Sequence, residues 1–573
     1  MLVFLIVLLF LTVFLLLPSK SLHKYQNIAV SIFFSALVGI GVMAVVREIE
    51  NRIPDTIVTI TATAQKNEQA QGDDIVFRGA SIDDKWYHAK ELLKSGSWES
   101  PDGAVIKWKS YEQPEGMTDK VTVKLPGGVK RYLVFDSNKW QGKVIIDTQG
   151  QELYFDAFAN SEETADVSFE LPPTELNTAS PYVPIGAGIV GFVLMLGICL
   201  FCFKKNKMGK VSSNPNTNRE IWADVLRVVC AFTVVWLHCT CNTYTDWQFG
   251  TLEWEKSLYV NCWTTFAVPC FFMLSGAFLL NKEHSIADTF KRRIPKVAIP
   301  LVVWSVIYVL VHIFYYKDAD YKSFLAIPFR PQYWHLWFVY SILGLYVFLP
   351  ILSYCQHNLP KNLKRYFFLI VCVLPVFIST AEGILSMQID SPWLIFKNAE
   401  LACFILGYYV INSDRLKNVR WKLPTLIVTS GFLMTILTSY YVSMKHGMPN
   451  KEFFGLYKGL CKLPVMVFAI GIYFLFYALR DFWGRLPLRV NWLIRQLGAL
   501  SMGIYYSHML ALLFVGNKYL GSFGFTNNSG SLWNMFAGAV LYFSVTAMVC
   551  FCGAHIPYVN KLFGTVVERP CED

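Results

Sequence analysis

An arginine and a histidine share one apolar stretch, Arg219-Glu-Ile-Trp-Ala-Asp-Val-Leu-Arg-Val-Val-Cys-Ala-Phe-Thr-Val-Val-Trp-Leu-His238. Eleven helical steps separate Arg227 from His238. In a helix that is roughly 16 Å along the axis and about 20° from full registry. Both side chains therefore project from one face, the arginine near a membrane surface and the imidazole deep inside. Ionisable groups at bilayer depth cost about 2.5–3.5 kcal/mol each on insertion scales and mark functional sites. Asp224 lies three residues before Arg227, a spacing at which side chains meet on a helix surface. A buried imidazole with a cation at the mouth suits a reaction that draws a charged reagent in from one side.

Three further histidines, His312, His335 and His508, are expected at a depth similar to that of His238. A cluster of buried imidazoles could bind a metal or move protons. Proton transfer is the reading adopted, with no metal ligand assigned. Single interfacial hydrogen bonds are the simpler account of His312. The run Phe290-Lys-Arg-Arg-Ile-Pro-Lys296 offers a second constellation. It reads either as topogenic charge or as a phosphate clamp, since guanidinium forks match phosphate oxygens. Ser275-Gly276, inside an apolar helix, admits close approach of another helix or of an acyl chain.

These residues need a membrane to sit in, and the composition supplies one. Of 573 residues, 54% are hydrophobic and 16% charged, with a mean hydropathy of +0.38. Soluble chains carry nearer 25% charge. The net charge of +10 calls for no nucleic-acid partner, because cytoplasmic loops are Lys/Arg-rich. The close cysteine pairs, Cys239-x-Cys241 and Cys550-x-Cys552, read as small apolar residues. The chain lacks a Walker A loop, a Gly-x-Ser-x-Gly elbow and a His-Glu-x-x-His motif.

The expected fold is mostly helical: a polytopic bundle carrying an inserted extracytoplasmic β-sandwich. Hydrophobic spans are expected at 2–17, 28–46 and 184–203, then ten more at 221–240, 257–280, 297–316, 334–354, 365–383, 393–412, 424–443, 455–478, 496–516 and 531–551. The first lacks a positive leader and reads as retained rather than cleaved. Lysines follow the first and third spans, and cationic loops are expected at 281–296, 411–423 and 479–496. The positive-inside rule then places the N-terminus outside, the C-terminus in the cytoplasm and residues 50–180 outside. That segment alternates polar and apolar residues, as in Thr56–Thr63, Lys120–Leu125, Arg131–Phe135 and Gly142–Asp147, with a turn at Pro126-Gly-Gly128. Its Trp86, Trp98, Trp108 and Trp140 read either as a sugar-stacking surface or as core and hairpin aromatics. Ser137 reads as exposed. The expected division is two helices in 1–49, the β-rich domain in 50–180, a helix in 181–205, a cytoplasmic linker in 206–218, a ten-helix domain in 219–556 and a tail in 557–573.

The C-terminal region resembles the acyltransferase-three family of integral membrane acyltransferases. Arg227 through His238 resembles that family's Arg-x10-His motif, with Asp224 as the preceding acid. Phe272-Met-Leu-Ser-Gly-Ala-Phe278 resembles its Phe-x-Leu-Ser-Gly-Phe element, and Arg293-Ile-Pro-Lys296 its Arg-x-x-Arg element with Lys in the last place. Trp334-His-Leu-Trp-Phe-Val-Tyr340 and Ser501-Met-Gly-Ile-Tyr-Tyr-Ser-His508 resemble motifs of its polysaccharide O-acetyltransferase branch. The resemblance does not reach residues 1–210. It implies transfer of an acyl group, usually acetyl, from cytoplasmic acyl-CoA to a hydroxyl of an envelope glycan or lipid-linked saccharide. The location implied is a bacterial plasma membrane, with acyl-CoA as co-substrate and no tightly bound cofactor. His238, Arg227 and Asp224 are the expected catalytic residues, and Arg292, Arg293, Lys296 and Ser275 the expected donor site. His335 and His508 are possible auxiliaries, and an acyl-imidazole on His238 stays open as an alternative to general-base catalysis. The competing function is a transporter or flippase for a polar solute, since buried charges also line transport paths.

Overall fold

The computed structural model describes residues 23–172 (except 51–52, 54, 84, 101–103, 110–111, 113–116 and 149), 182–206, 220–240, 250–385 (except 317–318), 399–446 (except 417), 462–513 and 532–564. Two compact units emerge, one of residues 43–187 and one of residues 1–42 with 188–573.

The smaller unit is β-rich. Its strands are β1 Thr56–Ala62, β2 Ile75–Ile82, β3 Lys85–His88, β4 Leu93–Ser95, β5 Ile106–Trp108, β6 Asp119–Leu125, β7 Arg131–Ser137, β8 Lys143–Thr148, β9 Gln151–Asp156 and β10 Ala165–Glu170. They form two antiparallel sheets, ordered β4-β6-β1-β8-β9 and β10-β7-β2-β3, with β5 also on β2. Alternation drives this: in β1, Val58, Ile60 and Ala62 are buried while Ile57 is exposed. Ile60 stands opposite Val121 on one side and Ile146 on the other. Buried residues of both sheets, Val58 and Phe77 among them, join one hydrophobic cluster.

The tertiary structure decides one open reading of this unit and overturns another. Trp98 and Trp108 are buried in that cluster, whereas Trp86 and Trp140 are exposed. Trp86 lies opposite Ser81 at one end of β2, while the Trp140 carbonyl accepts from Asp74 N beyond the other. Seven strand residues amount to about 23 Å, so the four indoles form no common surface. Ser137 is buried rather than exposed: its Oγ donates to the Ala157 carbonyl at 2.8 Å. It ends β7 in phase with the buried positions Arg131, Leu133 and Phe135.

The other unit is helical. Its principal helices are α1 His23–Glu50, α2 Tyr182–Asn206, α3 Ile221–Thr240, α4 Leu252–Thr264, α5 Ala267–Leu279, α6 Ile286–Tyr316, α7 Trp334–Asn358, α8 Lys361–Glu382, α9 Ala399–Asn412, α10 Lys422–His446, α11 Leu463–Ala478, α12 Leu488–Ala511 and α13 Leu532–His555. Among the described residues, eight helices are long and apolar enough to cross a membrane, counting α4 and α5 as one run. Shorter apolar helices occur at Ile28–Ile40 of α1, at α9 and at α11. The chain is a multi-pass membrane protein, mostly helical, with a separate β-rich N-terminal region. The span expected at 2–17 and most of the linker at 206–218 lie outside the described residues.

Helix starts differ from the hydropathy edges because caps set them. Thr251 Oγ1 accepts from Trp254 N at 3.3 Å and Glu253 and Glu255 occupy the first turn, so α4 begins before the apolar run. Ser285 Oγ accepts from Asp288 N at 3.1 Å and starts α6 at Ile286. The basic run expected in a loop at 281–296 is therefore helical, with a π-helical turn over Thr289–Arg293. Arg489 and Arg495 likewise lie in the first turns of α12, which begins behind Pro487.

Candidate active site

The site is built around α3, whose two ends carry different chemistry. Across its first two turns Arg227 Nη1 donates to Asp224 Oδ1 at 2.7 Å. The Asp224 side chain is fully buried and that of Arg227 is 25% exposed. The carboxylate thus anchors the guanidinium while leaving part of it open. Removing one partner of such a buried pair costs about 3–5 kcal/mol, because the other charge is left uncompensated. Arg227 also lies over the Phe278 ring of α5, 5.4 Å from its centroid. Gly498 of α12 makes room for the pair: a Cβ there would fall 3.0 Å from Asp224 Oδ1.

The basic run at the start of α6 is partly self-paired. Arg293 Nε donates to Asp288 Oδ2 at 3.2 Å, and Arg292 Nε lies 3.8 Å from Asp288 Oδ1. The Arg292 side chain is 79% exposed. Lys296 is exposed as well. Tyr346 of α7 lies within electrostatic range of both Arg293 and Arg227, which ties the α6 run to the Arg227 end of α3. Asp288 was not singled out from the sequence, although its i,i+4 spacing to Arg292 was visible there.

Ser275 donates its Oγ to the Phe271 carbonyl of its own helix at 2.9 Å and is half-buried. Its neighbour Gly276 meets the Phe404 backbone of α9 so closely that no Cβ fits, and Gly407 of α9 meets the Met273 backbone in the same way. Of the two readings of Ser275-Gly276, helix packing is the one the glycine serves.

At the other end of α3, three histidines come together from three helices. The His238 ring stacks on that of His508 with centroids 5.2 Å apart and planes at 15°. His335, in the short 3-10 turn Trp334–Leu336 that opens α7, stands edge-on to His508 at 5.0 Å. His335 and His508 are buried, and His238 is half-buried. Tyrosines lock these helices: Tyr505 of α12 donates its hydroxyl to the His335 carbonyl, and Tyr308 of α6 donates to the Tyr506 carbonyl at 2.7 Å. Trp334 stands perpendicular to His238 at 4.4 Å and is 51% exposed. His312 lies one ring layer away, packed on Tyr333 at 5.5 Å, with Tyr333 in turn 5.5 Å from His335. Tyr505 and Trp334 were present in the quoted motifs, but nothing in their spacing announced contact with a histidine. Among the described residues, no three His, Cys, Asp or Glu side chains converge as a metal-binding group. Cys239, Cys550 and Cys552 are buried, and Cys241 lies outside the described residues.

The unit is a multi-pass helical one with an anchored arginine at one end of a span and imidazoles at the other. A family model described as an acyltransferase domain, Acyl_transf_3, matches residues 220–555, more than half of the chain. The protein belongs to the acyltransferase 3 family and is a membrane acyltransferase. No curated protein matches it.

Proposed function

We propose that this enzyme moves an acetyl group from cytoplasmic acetyl-CoA to a hydroxyl of a cell-envelope glycan or lipid-linked saccharide. The observation that carries the reading is the polarity of α3: a carboxylate-anchored, partly open arginine at one end and a histidine cluster at the other. The orientation we infer puts Arg227 at the cytoplasmic mouth, the histidines in the outer half, the N-terminus outside and the C-terminus inside. The β-rich unit is then extracytoplasmic, and we read its two sheets as a sandwich. Coenzyme A is a phosphate-bearing anion, so Arg292, Arg293 and Lys296 would hold its phosphates with Arg227 guiding it at the mouth. Ser275 would face the entering acyl chain. The pantetheine arm would carry the thioester roughly 16 Å along α3 to His238. His238 is the reacting imidazole, as base on the acceptor hydroxyl or as carrier of the acyl group; general-base help alone is typically worth about 10²–10⁴-fold. Asp224 is about 21 Å from His238 along the helix and serves Arg227 rather than the imidazole. Acyl-CoA acts as co-substrate, the chain uses no nucleic acid, and lipid surrounds the helices.

The test is His238→Ala in proteoliposomes fed acetyl-CoA from the Arg227 side, with envelope glycan on the other. Transfer should vanish while insertion and acetyl-CoA binding persist. Near-normal acetylation by the variant would remove His238 from the reaction. Movement of a glycan or solute without any ester formed would sink the enzymatic reading in favour of transport.

A further inference from the structure

The three histidines differ in what holds them. His508 is fully buried, and its Nδ1 lies 2.7 Å from the Tyr505 carbonyl and 3.2 Å from that of Ile504. Carbonyl oxygens only accept, so Nδ1 carries the proton and a neutral ring presents a bare lone pair at Nε2. That Nε2 is buried and has no hydrogen-bond partner among the described residues. One ring nitrogen anchored by an acceptor and the other left to take a proton is how a base is held beside a nucleophile. The helix itself supplies the anchor, since the ring folds back over the preceding turn of α12. His238 lies face to face with this base at 5.2 Å and 15°. A group carried on His238 is therefore held next to the His508 ring.

We propose that the two rings divide the transfer into two steps, His238 carrying the acyl group and His508 deprotonating the acceptor. The proposal rests on the acyltransfer reading above and decides between the two roles open to His238. In the first step the lone pair of neutral His238 attacks the thioester carbonyl, a C–N bond forms and the C–S bond breaks. The thiolate leaves and takes the N–H proton of the acyl-imidazolium, giving free CoA thiol and a neutral acyl-imidazole. In the second step the acceptor hydroxyl attacks the acyl carbon while its proton passes to His508 Nε2. The C–N bond breaks, and His508 returns the proton to the departing His238. The sum is acyl-CoA plus alcohol giving ester plus CoA thiol. Donor and acceptor need not occupy the site together, which suits reagents approaching from opposite sides of a membrane.

The experiment is rapid mixing of the full-length protein in detergent with [14C]acetyl-CoA and no acceptor, followed by quenching and peptide mapping. Wild type should take up label on His238 with matching release of CoA, and neutral hydroxylamine should discharge it as acetohydroxamate. His508→Asn, which keeps a donor for the Tyr505 carbonyl but no base, should become labelled normally and lose the label to water about 10²-fold more slowly. His508→Gln should behave alike, and labelling itself reports an intact donor site in either variant. Label on another residue, decay in the His508 variants at the wild-type rate, or failure of both folded variants to become labelled would overturn the proposal. CoA release that requires glycan, with no labelled protein at any time, would refute the two-step route and leave acyl transfer standing. No CoA release under any condition would refute acyl transfer itself.

Discussion

Asp224 and Arg227 illustrate how much one side chain depends on the space a distant residue leaves. The pair is local, three residues apart on one helix, but it persists in an apolar bundle because Gly498 of α12 offers no side chain against the carboxylate. Gly498→Val adds atoms where a Cβ alone would already press on Asp224 Oδ1. Overpacking of this kind costs about 1–3 kcal/mol, and a displacement near 1 Å at a positioning group is worth about 10² in rate. The variant should remain folded, with acetyl transfer at least tenfold down (about the lower end of such misplacement effects). Steady-state rates alongside thermal unfolding check this, and unchanged rates would mean that the pair tolerates movement. Arg293 lends itself to a complementary measurement. Arg293→Ala should raise the acetyl-CoA requirement more than the acceptor requirement, and added salt should weaken donor binding in wild type, as attraction is screened over about 8–10 Å. The reverse pattern would place this residue outside the donor site.

The helices that hold these residues are joined by tight crossings and by capped ends. α5 and α9 meet through Gly276 and Gly407, so their backbones touch where side chains would hold them apart. The C-terminal end of α5 is closed by His284, whose Nε2 donates to the Leu279 carbonyl at 2.7 Å, and by His357, whose Nε2 donates to that of Leu280 at 3.0 Å. His284 lies between the spans. Its burial, helped by the Arg293 and Lys282 charges and opposed by the Leu279 bond and Asp288, holds its imidazole below the usual value of 6.5. The unfolded chain then binds this proton at higher pH than the folded one. Stability from His284 is full above about pH 6.5 and is lost as pH falls from there toward the lowered value. Thermal unfolding in detergent at pH 7.5 and 5.5 should show a larger acid-induced drop for wild type than for His284→Gln, which keeps a donor but cannot titrate. Equal drops would remove His284 from the acid response.

The whole chain joins a family core at residues 220–555 to a β-rich unit that the family match does not reach. If that unit is extracytoplasmic, a cysteine at an exposed loop position such as Glu163 should react with an impermeant thiol reagent added to intact cells. Ser137 would be a poor choice, being buried and hydrogen-bonded. Labelling of Glu163→Cys only after lysis would invert the inferred orientation. The unit also holds a buried cation: Arg131 donates to Thr56 Oγ1 and to the Pro172 carbonyl, both at 2.8 Å, and burial lowers its pKa. That residue ties the start of β7 to β1 and to the segment after β10.

Periodicity and hydropathy are properties of neighbouring residues, and what they govern was readable in the chain alone. The alternation in Thr56–Thr63 and Arg131–Phe135 became β1 and β7, and the apolar runs that fall within the described residues became helices. The spacing of Asp224, Arg227 and His238 became one helix with a charged and an imidazole end. Helix starts were misjudged where Ser285, Thr251 and Pro487 act, because capping extends a helix into polar sequence that hydropathy scores as loop. What no window of sequence contains is contact between distant segments. The stacking of His238 on His508 spans 270 residues of chain, and only packing of α3 against α12 brings it about. The same holds for the packing of His312 on Tyr333. Burial decided Ser137 against its reading as exposed, and decided Trp98 and Trp108 for the core alternative over sugar contact, since a residue's face depends on which sheet covers it. The sequence determined which residues had chemistry to offer; the tertiary structure decided which of them meet, because convergence of side chains is set by helix crossings and not by spacing along any one helix.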